Sequence, residues 1–171
     1  MPTSADQDYR TPSLVVFVGL QASGKTTFYR IVFGQRYRLI SKDLLRNNRR
    51  PSRRQSQLLR QALEELVSIV IDNTNPTREE RRGIIQMARE AGYRVIGYYF
   101  SSPIEECMER NQRREGKDRV PDIGLYATKK KLEEPCLTEG FDELYRVNVD
   151  SDSGFVCRAW QRGECDEIQE P

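Results

Sequence analysis

Residues Gly19-Leu20-Gln21-Ala22-Ser23-Gly24-Lys25-Thr26 directly follow the apolar run Leu14-Val15-Val16-Phe17-Val18. The first stretch fits the pattern G-x-x-x-x-G-K-[ST], which has meaning where a buried strand runs into a glycine-rich turn and then a helix. Such a turn points several backbone N–H groups at one spot, while Lys25 adds a positive charge and Thr26 a hydroxyl for Mg²⁺. The stretch predicts a nest for a nucleotide's phosphates. A turn that only joins a strand to a helix is the alternative.

The composition indicates one compact domain. The chain has 171 residues, of which 37% are hydrophobic, and this size suits a single core. Lys and Arg total 28 against 26 Asp and Glu, so the net charge indicates no partner. No window has the roughly 18 apolar residues of a membrane span, and the first residues are too polar for a signal peptide. We therefore expect an intracellular, cytoplasmic or nuclear protein that does not enter a membrane.

The cysteines and histidines limit the chemistry. Four cysteines, at positions 107, 136, 157 and 165, show no C-x-x-C spacing, and histidine is absent. This pattern predicts reduced thiols, with neither a zinc site nor a disulfide framework. Any general base must then be a carboxylate, a lysine, a tyrosine or a thiolate.

Strand and helix patterns alternate along the chain. Strands are predicted at residues 14–18, 37–41, 67–72, 95–100 and 144–149, and helices begin near residues 24, 55, 78, 103 and 123. The alternation predicts an α/β fold with a mainly parallel five-stranded sheet and helices on both faces. Together with the phosphate-binding turn after the first strand and the arginine-rich lid described below, it indicates the P-loop NTPase fold. Residues 13–150 would form this domain, 1–12 a loose arm, and 151–171 an irregular tail.

Two carboxylates follow strands at the edge where open α/β sheets bind ligands. Asp43 stands among Arg38, Lys42 and Arg46, so it is the best candidate to accept the proton of an attacking hydroxyl. Its alternative role is the N-cap of a short helix. Asp72 ends an apolar strand, the usual place for the acid that holds Mg²⁺ or its waters. The polar loop 73–77 follows it and could equally be ordinary turn structure.

Two basic stretches accompany these groups. Arg110, Arg113, Arg114, Lys117 and Arg119 could form a lid that places an arginine on the transferring phosphoryl group. For any single member, a solvated surface is the better interpretation. The interval 35–63 carries nine basic residues, which suits a polyanionic acceptor. A charged exposed loop is the alternative there.

Three motifs occur in order, GLQASGKT, SKDLLR and IDNTNPTREERR, followed by RNQRREGKDRVP. Together they resemble the kinase domain of the polynucleotide 5′-kinases, over about residues 14–149. The resemblance implies the activity of that family, which is phosphorylation of 5′-hydroxyl ends of DNA or RNA. Such family members commonly carry an arginine directly before the Asp of the second motif. Lys42 stands there in this chain, which keeps the charge but loses the bidentate fork.

The resemblance also implies site residues. ATP and Mg²⁺ would be bound by Gly19, Gln21, Ala22, Ser23, Gly24, Lys25, Thr26, Thr27, Arg110 and Arg114, with Thr26 as the metal ligand. The acceptor would be bound by Asp43, Arg46, Asp72, Thr74 and Asn75. Catalysis would rest on Lys25, on Asp43 as the base and on Arg114 as the lid arginine.

Three functions remain open. The first is an ATP-dependent kinase of nucleic acid 5′-hydroxyl ends. The second is a P-loop kinase of a small molecule, such as a sugar acid, a nucleoside or a nucleotide sugar, because one scaffold serves many acceptors. The third is a non-catalytic, NTP-dependent module that binds nucleic acid. Asp43 argues against the third, since a binding module needs no acceptor base.

Overall fold

A computed structural model describes residues 11–150 and 154–161 of the chain. The strands are β1 (Ser13–Gly19), β2 (Arg38–Ile40), β3 (Ile69–Ile71), β4 (Arg94–Phe100), β5 (Glu143–Asp150) and β6 (Gly154–Ala159). The helices are α1 (Lys25–Phe28), α2 (Pro51–Glu64), α3 (Arg78–Glu90), α4 (Ile104–Gln112) and α5 (Asp122–Lys131). None of the helices within these described ranges is long and apolar enough to cross a membrane.

One sheet organises the domain, in the order β2-β3-β1-β4-β5-β6. The first five strands of this order are parallel to one another, and β6 runs antiparallel to β5. The central strand β1 is buried from both sides, because its alternate residues enter different cores. Leu14, Val16 and Val18 pack with α2 and α3, whereas Val15 and Phe17 pack with Phe28 and Phe33. The predicted α/β fold with helices on both faces is confirmed.

The sixth strand is the main difference from the prediction. The sequence predicts an irregular tail over residues 151–171, but residues 154–159 form β6 and extend the sheet by an antiparallel hairpin. Most of its side chains are at least partly exposed, so the segment lacks the continuous apolar run that marked the buried strands. Pairing with β5 and packing of Phe155 and Trp160 hold it in place. The predicted arm at 1–12 lies almost wholly outside the described residues.

The cysteines also differ from the prediction. Cys107 and Cys157 are free thiols, as expected. Cys136 is disulfide-bonded, so the expectation of reduced thiols is wrong for that residue. Spacing along the chain could not reveal the bond, because it depends on which segments the fold brings together.

Two connections set the geometry at the carboxyl ends of the strands. After α1, the chain continues as a π-helical turn over Tyr29–Phe33, so the α-helical part is only four residues long. Before α3, the side chain of Thr77 accepts a hydrogen bond from the Glu80 N–H at 3.2 Å. Thr77 is therefore the N-cap of α3, and it starts this helix at the edge where the candidate site lies.

Candidate active site

The phosphate loop lies between β1 and α1, and its backbone requires two of its glycines. Gly19 has a φ of 151°, and a Cβ there would lie 2.8 Å from the carbonyl oxygen of Phe100. Gly24 has a φ of 98°, and a Cβ there would lie 3.0 Å from the ring of Phe155. Ala22, at a φ of 59°, is also left-handed. The result is a narrow backbone cradle of the kind that phosphate groups occupy.

Lys25 is folded into this cradle. Its ammonium donates to Gly19 O at 3.1 Å, to Ser23 Oγ at 3.3 Å and to Leu20 O. Only 8% of the residue is exposed. Burial lowers the pKa of Lys25 from 10.5 to about 8, and the nearby carboxylate of Asp72 opposes this shift. An anionic phosphate in the cradle would supply the negative charge that favours the protonated lysine.

Thr26 and Asp72 face each other at the bottom of the site. Thr26 Oγ1 donates to Asp72 Oδ2 at 2.7 Å. Burial raises the pKa of Asp72, while Lys25 and the Thr26 hydrogen bond oppose that shift. The described residues contain no cluster of three His, Cys, Asp or Glu side chains that could hold a metal ion. A hydroxyl and one carboxylate are the oxygen donors that fit Mg²⁺, which completes its shell with nucleotide phosphates and water.

Asp43 lies on a 3-10 helix, Lys42–Leu45, directly after β2. Its backbone N–H donates to Ser41 Oγ at 3.3 Å, so Ser41 caps this helix and the alternative role of Asp43 as an N-cap is wrong. The Asp43 side chain is 79% exposed and pairs with Arg46 at 3.5 Å. A carboxylate this accessible can reach a substrate hydroxyl.

The loop 73–77 connects the two halves of the site. Asn73 Oδ1 accepts a hydrogen bond from Lys42 N at 2.8 Å, and Asn73 Nδ2 donates to Gln55 at 2.8 Å. Thr74 O accepts from Gly19 N at 3.0 Å. One short loop thus contacts both the start of the phosphate loop and the helix that carries Asp43.

Asn75 has a supporting position within this loop. It is 2% exposed, has a φ of 41°, and donates from Nδ2 to Phe17 O at 2.7 Å. Its amide nitrogen is therefore committed to the end of β1 rather than offered to a substrate.

The predicted lid corresponds to α4, a 3-10 turn at Gly116–Asp118, and α5. Arg110 Nη1 donates to Ala22 O at 3.2 Å, and Nη2 donates to Glu106 at 2.6 Å. Arg114 Nη1 donates to Asp118 O at 3.4 Å. Arg110 is thus bound to the phosphate loop from outside, whereas Arg114 lines the cavity.

Arg46 joins the acceptor side to the lid. Its Nη1 donates to Lys117 O at 2.9 Å and to Asp118 Oδ1 at 3.3 Å, and Nη2 pairs with Asp43. Both carboxylates in this cluster are largely exposed, so the pairs are weak. Arg46 can exchange them for a phosphate group without a large free-energy cost.

A cavity of about 260 Å³ brings residues from every predicted motif together. Among its lining residues are Gln21, Ala22, Gly24, Lys25, Thr26, Thr27, Lys42, Asp43, Arg46, Asp72, Thr74, Asn75 and Arg114. A second cavity of about 430 Å³ shares Thr26, Asp43 and Arg114 and extends past Arg30 and Leu44. The donor cradle and the proposed base therefore open into a common space that continues on the acceptor side.

The remaining predicted residues support the phosphate loop. Ser23 is 1% exposed and accepts from Lys25. Gln21 Nε2 donates to Thr128 Oγ1 of α5 at 2.9 Å, and its Oε1 is buried without a hydrogen-bond partner in the described part of the chain. Thr27 lines both cavities.

The basic interval 35–63 divides into three parts. Lys42 and Arg46 line the cavity. Arg36 and Arg38 are bound elsewhere, to Val32 O and to Glu65. The others are exposed near the start of α2 or along it, namely Arg49, Arg50, Arg53, Arg54 and Arg60.

Sequence reasoning missed two parts of the site. The ring of Phe155 on β6 packs behind Gly24, and no local pattern indicated it. Arg81 is buried beneath the loop 73–77. Its signal was present in the sequence, because Arg81 falls at helical spacing with Ile84, Ile85 and Ala88, on the apolar stripe of α3.

The family model described as an AAA domain matches residues 14–135. The chain belongs to this family. The match includes the phosphate loop, Asp43, Asp72 and the lid, and it ends before β5. The AAA domain of this chain therefore contains every residue that the sequence predicted for the site.

Two curated relatives are kinases by name. The chain is 30% identical over 141 residues to a bifunctional polynucleotide phosphatase/kinase of Schizosaccharomyces pombe, covering 78% of this chain and 33% of that protein. It is 24% identical over 155 residues to an L-seryl-tRNA(Sec) kinase of Methanococcus maripaludis, covering 81% of this chain and 59% of that protein. The chain thus spans about a third and about three-fifths of these relatives' lengths.

Solved structures show the same fold. A gluconokinase from Sinorhizobium meliloti has a TM-score of 0.58 at 23% identity, covering 82% of this chain and 84% of that one. A chain of the Pnkp1/Rnl/Hen1 RNA repair complex has a TM-score of 0.62 at 18% identity, covering 95% and 53%. The prediction of a P-loop kinase domain resembling polynucleotide kinases is confirmed. The kinases similar to it differ in the acceptors that their names state.

Proposed function

We propose that this AAA domain transfers the γ-phosphoryl group of ATP to the 5′-hydroxyl end of DNA or RNA. The observation that carries the proposal is the shared cavity, which is lined by residues of the phosphate loop, by the exposed Asp43 and by Arg46. A nucleotide-binding module needs the cradle alone. A kinase of a phosphate-bearing acceptor needs all three groups.

ATP with Mg²⁺ would supply the electrophilic γ-phosphorus, and the residues described above would bind and orient both substrates. The cradle and Lys25 hold the phosphates, and Thr26 with Asp72 provides oxygen donors for the metal ion. Asp43 accepts the proton as the acceptor oxygen attacks phosphorus and the bond to ADP breaks. Arg114 stabilises the charge on the equatorial oxygens of the transferring group.

Arg46 is the residue that favours a nucleic acid acceptor. It stands beside the proposed base, and its present partners are exposed and easily replaced. A guanidinium there matches the phosphate that follows the terminal nucleoside of a polynucleotide. The exposed arginines of α2 add positive charge beyond the cavity, and the 30% identity to a polynucleotide phosphatase/kinase agrees with this substrate class.

A kinase of a small molecule is the second candidate. The gluconokinase match covers 84% of that chain and so includes nearly its whole fold. A sugar acid would also present an anionic group to Arg46. The two candidates differ in the length of the acceptor, because only a polymer extends far enough to contact the arginines outside the cavity.

The decisive experiment measures transfer of labelled γ-phosphate in the presence of Mg²⁺. Oligonucleotides with a 5′-hydroxyl should be labelled, whereas the same oligonucleotides with a 5′-phosphate should not. Oligonucleotide affinity should fall steeply as salt rises, since phosphate contacts release counterions. Equal or better labelling of gluconate or free nucleosides would overturn the proposal in favour of the second candidate. Hydrolysis of ATP without any transfer would favour a binding module.

A further inference from the structure

Arg81 is a buried charged residue on α3, in contact with the loop 73–77. It is 0% exposed. Its Nε and Nη2 form a two-pronged contact with the Glu139 carboxylate, at 2.7 Å and 2.8 Å. Its Nη1 lies within hydrogen-bond distance of the carbonyl oxygens of Asn75, Pro76 and Glu133, at 2.9 Å, 3.1 Å and 3.1 Å.

This arrangement is a fork that only arginine can form. One edge of the planar guanidinium binds the carboxylate, and the remaining nitrogen is aimed at backbone carbonyls. The Glu139 carboxylate is itself held, because its Oε1 accepts from Cys136 N at 3.0 Å. Because each nitrogen of the buried Arg81 guanidinium has a hydrogen-bond partner, the side chain is fixed in one geometry.

Two of the three carbonyl groups held by Arg81, those of Asn75 and Pro76, belong to the loop 73–77. This loop contacts the phosphate loop, the helix that carries Asp43 and the segment after α5. Thr74 O accepts from Gly19 N of the phosphate loop at 3.0 Å. Asn73 Oδ1 accepts from the backbone N–H of Lys42, the residue that precedes Asp43, at 2.8 Å.

The third contact of the loop is with the lid. Pro76 O accepts from the N–H of Glu133 at 2.8 Å, and Glu133 lies two residues beyond the last residue of α5. The Glu133 side chain also accepts a hydrogen bond from Arg78 N, at the start of α3, at 2.7 Å. Donor loop, acceptor helix and lid therefore meet at one loop, and Arg81 is its buried anchor.

We propose that Arg81 is a positioning residue for phosphoryl transfer. By fixing the carbonyl groups of Asn75 and Pro76, it holds Asn73 and Thr74 where they orient the Asp43 helix and the phosphate loop relative to each other. The transfer role rests on the proposed function. The conformational role does not, and it is measured separately below.

The first test uses Arg81→Lys, which keeps the positive charge and removes the fork. Because a misplacement of about 1 Å between reacting groups can cost on the order of 10²-fold, we expect kcat to fall by about 10-fold or more. The KM for ATP should change much less, since Lys25 and the cradle are intact. The matched control is Arg89→Lys, also on α3. Arg89 donates to Gly140 O at 3.0 Å and pairs with Asp142, but it has no hydrogen bond to loop 73–77.

The second test needs no activity. Backbone hydrogen exchange of Lys42 N–H and Gly19 N–H reports the two contacts that the loop makes. Arg81→Lys should accelerate exchange at both amides, whereas Arg89→Lys should leave both unchanged. If Arg81→Lys does not fold, Glu139→Gln replaces it, because the amide retains one acceptor oxygen and should produce a smaller change in the same direction.

A double-variant cycle separates positioning from general stability. Asn73→Ala removes the contact to Lys42 but leaves the contact between Gly19 N and Thr74 O, so in its background Arg81→Lys should cost less kcat than it does in the wild type. Additive losses in kcat, unchanged amide exchange in folded Arg81→Lys, or equal losses in Arg81→Lys and Arg89→Lys would each overturn the inference. If wild-type protein phosphorylates a small molecule instead, the cycle is run with that acceptor, so the two proposals fail independently.

Discussion

Thr26 Oγ1 donates a hydrogen bond to Asp72 Oδ2 at 2.7 Å, between residues 46 positions apart. The contact joins the end of the phosphate loop to the end of β3. It brings a hydroxyl and a carboxylate together near Lys25. Burial lowers the pKa of Lys25 and raises the pKa of Asp72. Two roles for Asp72 follow, as a group that binds Mg²⁺ or its waters and as a support for the acceptor loop.

Magnesium dependence distinguishes these two roles. Asp72→Asn removes the charge but can still accept the Thr26 hydrogen bond. We expect the Mg²⁺ concentration for half-maximal activity to rise by about 10-fold or more, as is typical when a residue supporting a metal site is lost. Thr26→Ala should act in the same direction, and Thr26→Ser, which retains the hydroxyl, is its control. If only the KM for the acceptor changes in Asp72→Asn, the metal role is wrong.

Asp43→Asn tests the proposed base. The amide is nearly the same shape but cannot take a proton, so kcat should fall by roughly 10² or more while the KM for ATP is retained. Asp118→Asn is a matched comparison, because Asp118 is similarly exposed and also pairs with Arg46. Its effect should be much smaller. Wild-type turnover in Asp43→Asn would leave Asp43 with only its pairing to Arg46.

Arg114→Ala tests the lid. A cation that stabilises the transferring group contributes mainly to the transition state, so the rate should fall by on the order of 10² or more without loss of the fold. Arg113→Ala is the control, since Arg113 is exposed and absent from the cavity lining. A negligible loss in Arg114→Ala would transfer the role to Arg110.

The lowered pKa of Lys25 predicts how ATP affinity depends on pH. Phosphates bind the protonated lysine, so affinity should be nearly constant below about pH 8 and weaken above it, by up to about 10-fold per pH unit. Binding near this pH should be accompanied by proton uptake, which calorimetry in buffers of different ionisation enthalpy measures. Without ATP, Lys25 binds fewer protons in the folded state than in the unfolded state between about pH 8 and pH 10.5. Over this pH range Lys25 therefore makes the free energy of unfolding rise with pH. A flat affinity from pH 7 to pH 9 would contradict the shift.

Trp160 tests the contribution of β6 and its end. It is 7% exposed, and the guanidinium carbon of Arg146 lies 4.6 Å from its ring centroid. Trp160→Ala should lower the free energy of unfolding by about 3–5 kcal/mol, measured by urea denaturation. Cys157→Ala, at an exposed position of the same strand, should change it by less than about 0.5 kcal/mol. A small loss for Trp160→Ala would mean that the end of β6 adds little to the fold.

Much of the candidate site could be predicted because its chemistry is local in sequence. Gly19, Gly24, Lys25 and Thr26 form one turn, and Asp43 and Asp72 each follow a predicted strand. Parallel strands place their carboxyl ends at one edge, so the sequence also indicated that these groups would meet. The sequence did not indicate the individual contacts of these groups. Thr74 and Asn75 both line the cavity, yet the side-chain amide of Asn75 donates to Phe17 O and so supports β1.

The order of motifs along the chain determined the fold class, the edge of the sheet that carries the site and the family, because helix and strand periodicities are properties of neighbouring residues. Only the tertiary structure decided which arginine of the lid lines the cavity, that residues 154–159 add a sixth strand behind Gly24, and that Arg81 and Glu139 anchor the loop between the two halves of the site. Those contacts join residues far apart in sequence, up to 131 positions for Gly24 and Phe155. Such contacts depend on how the whole core packs, and no local pattern encodes that.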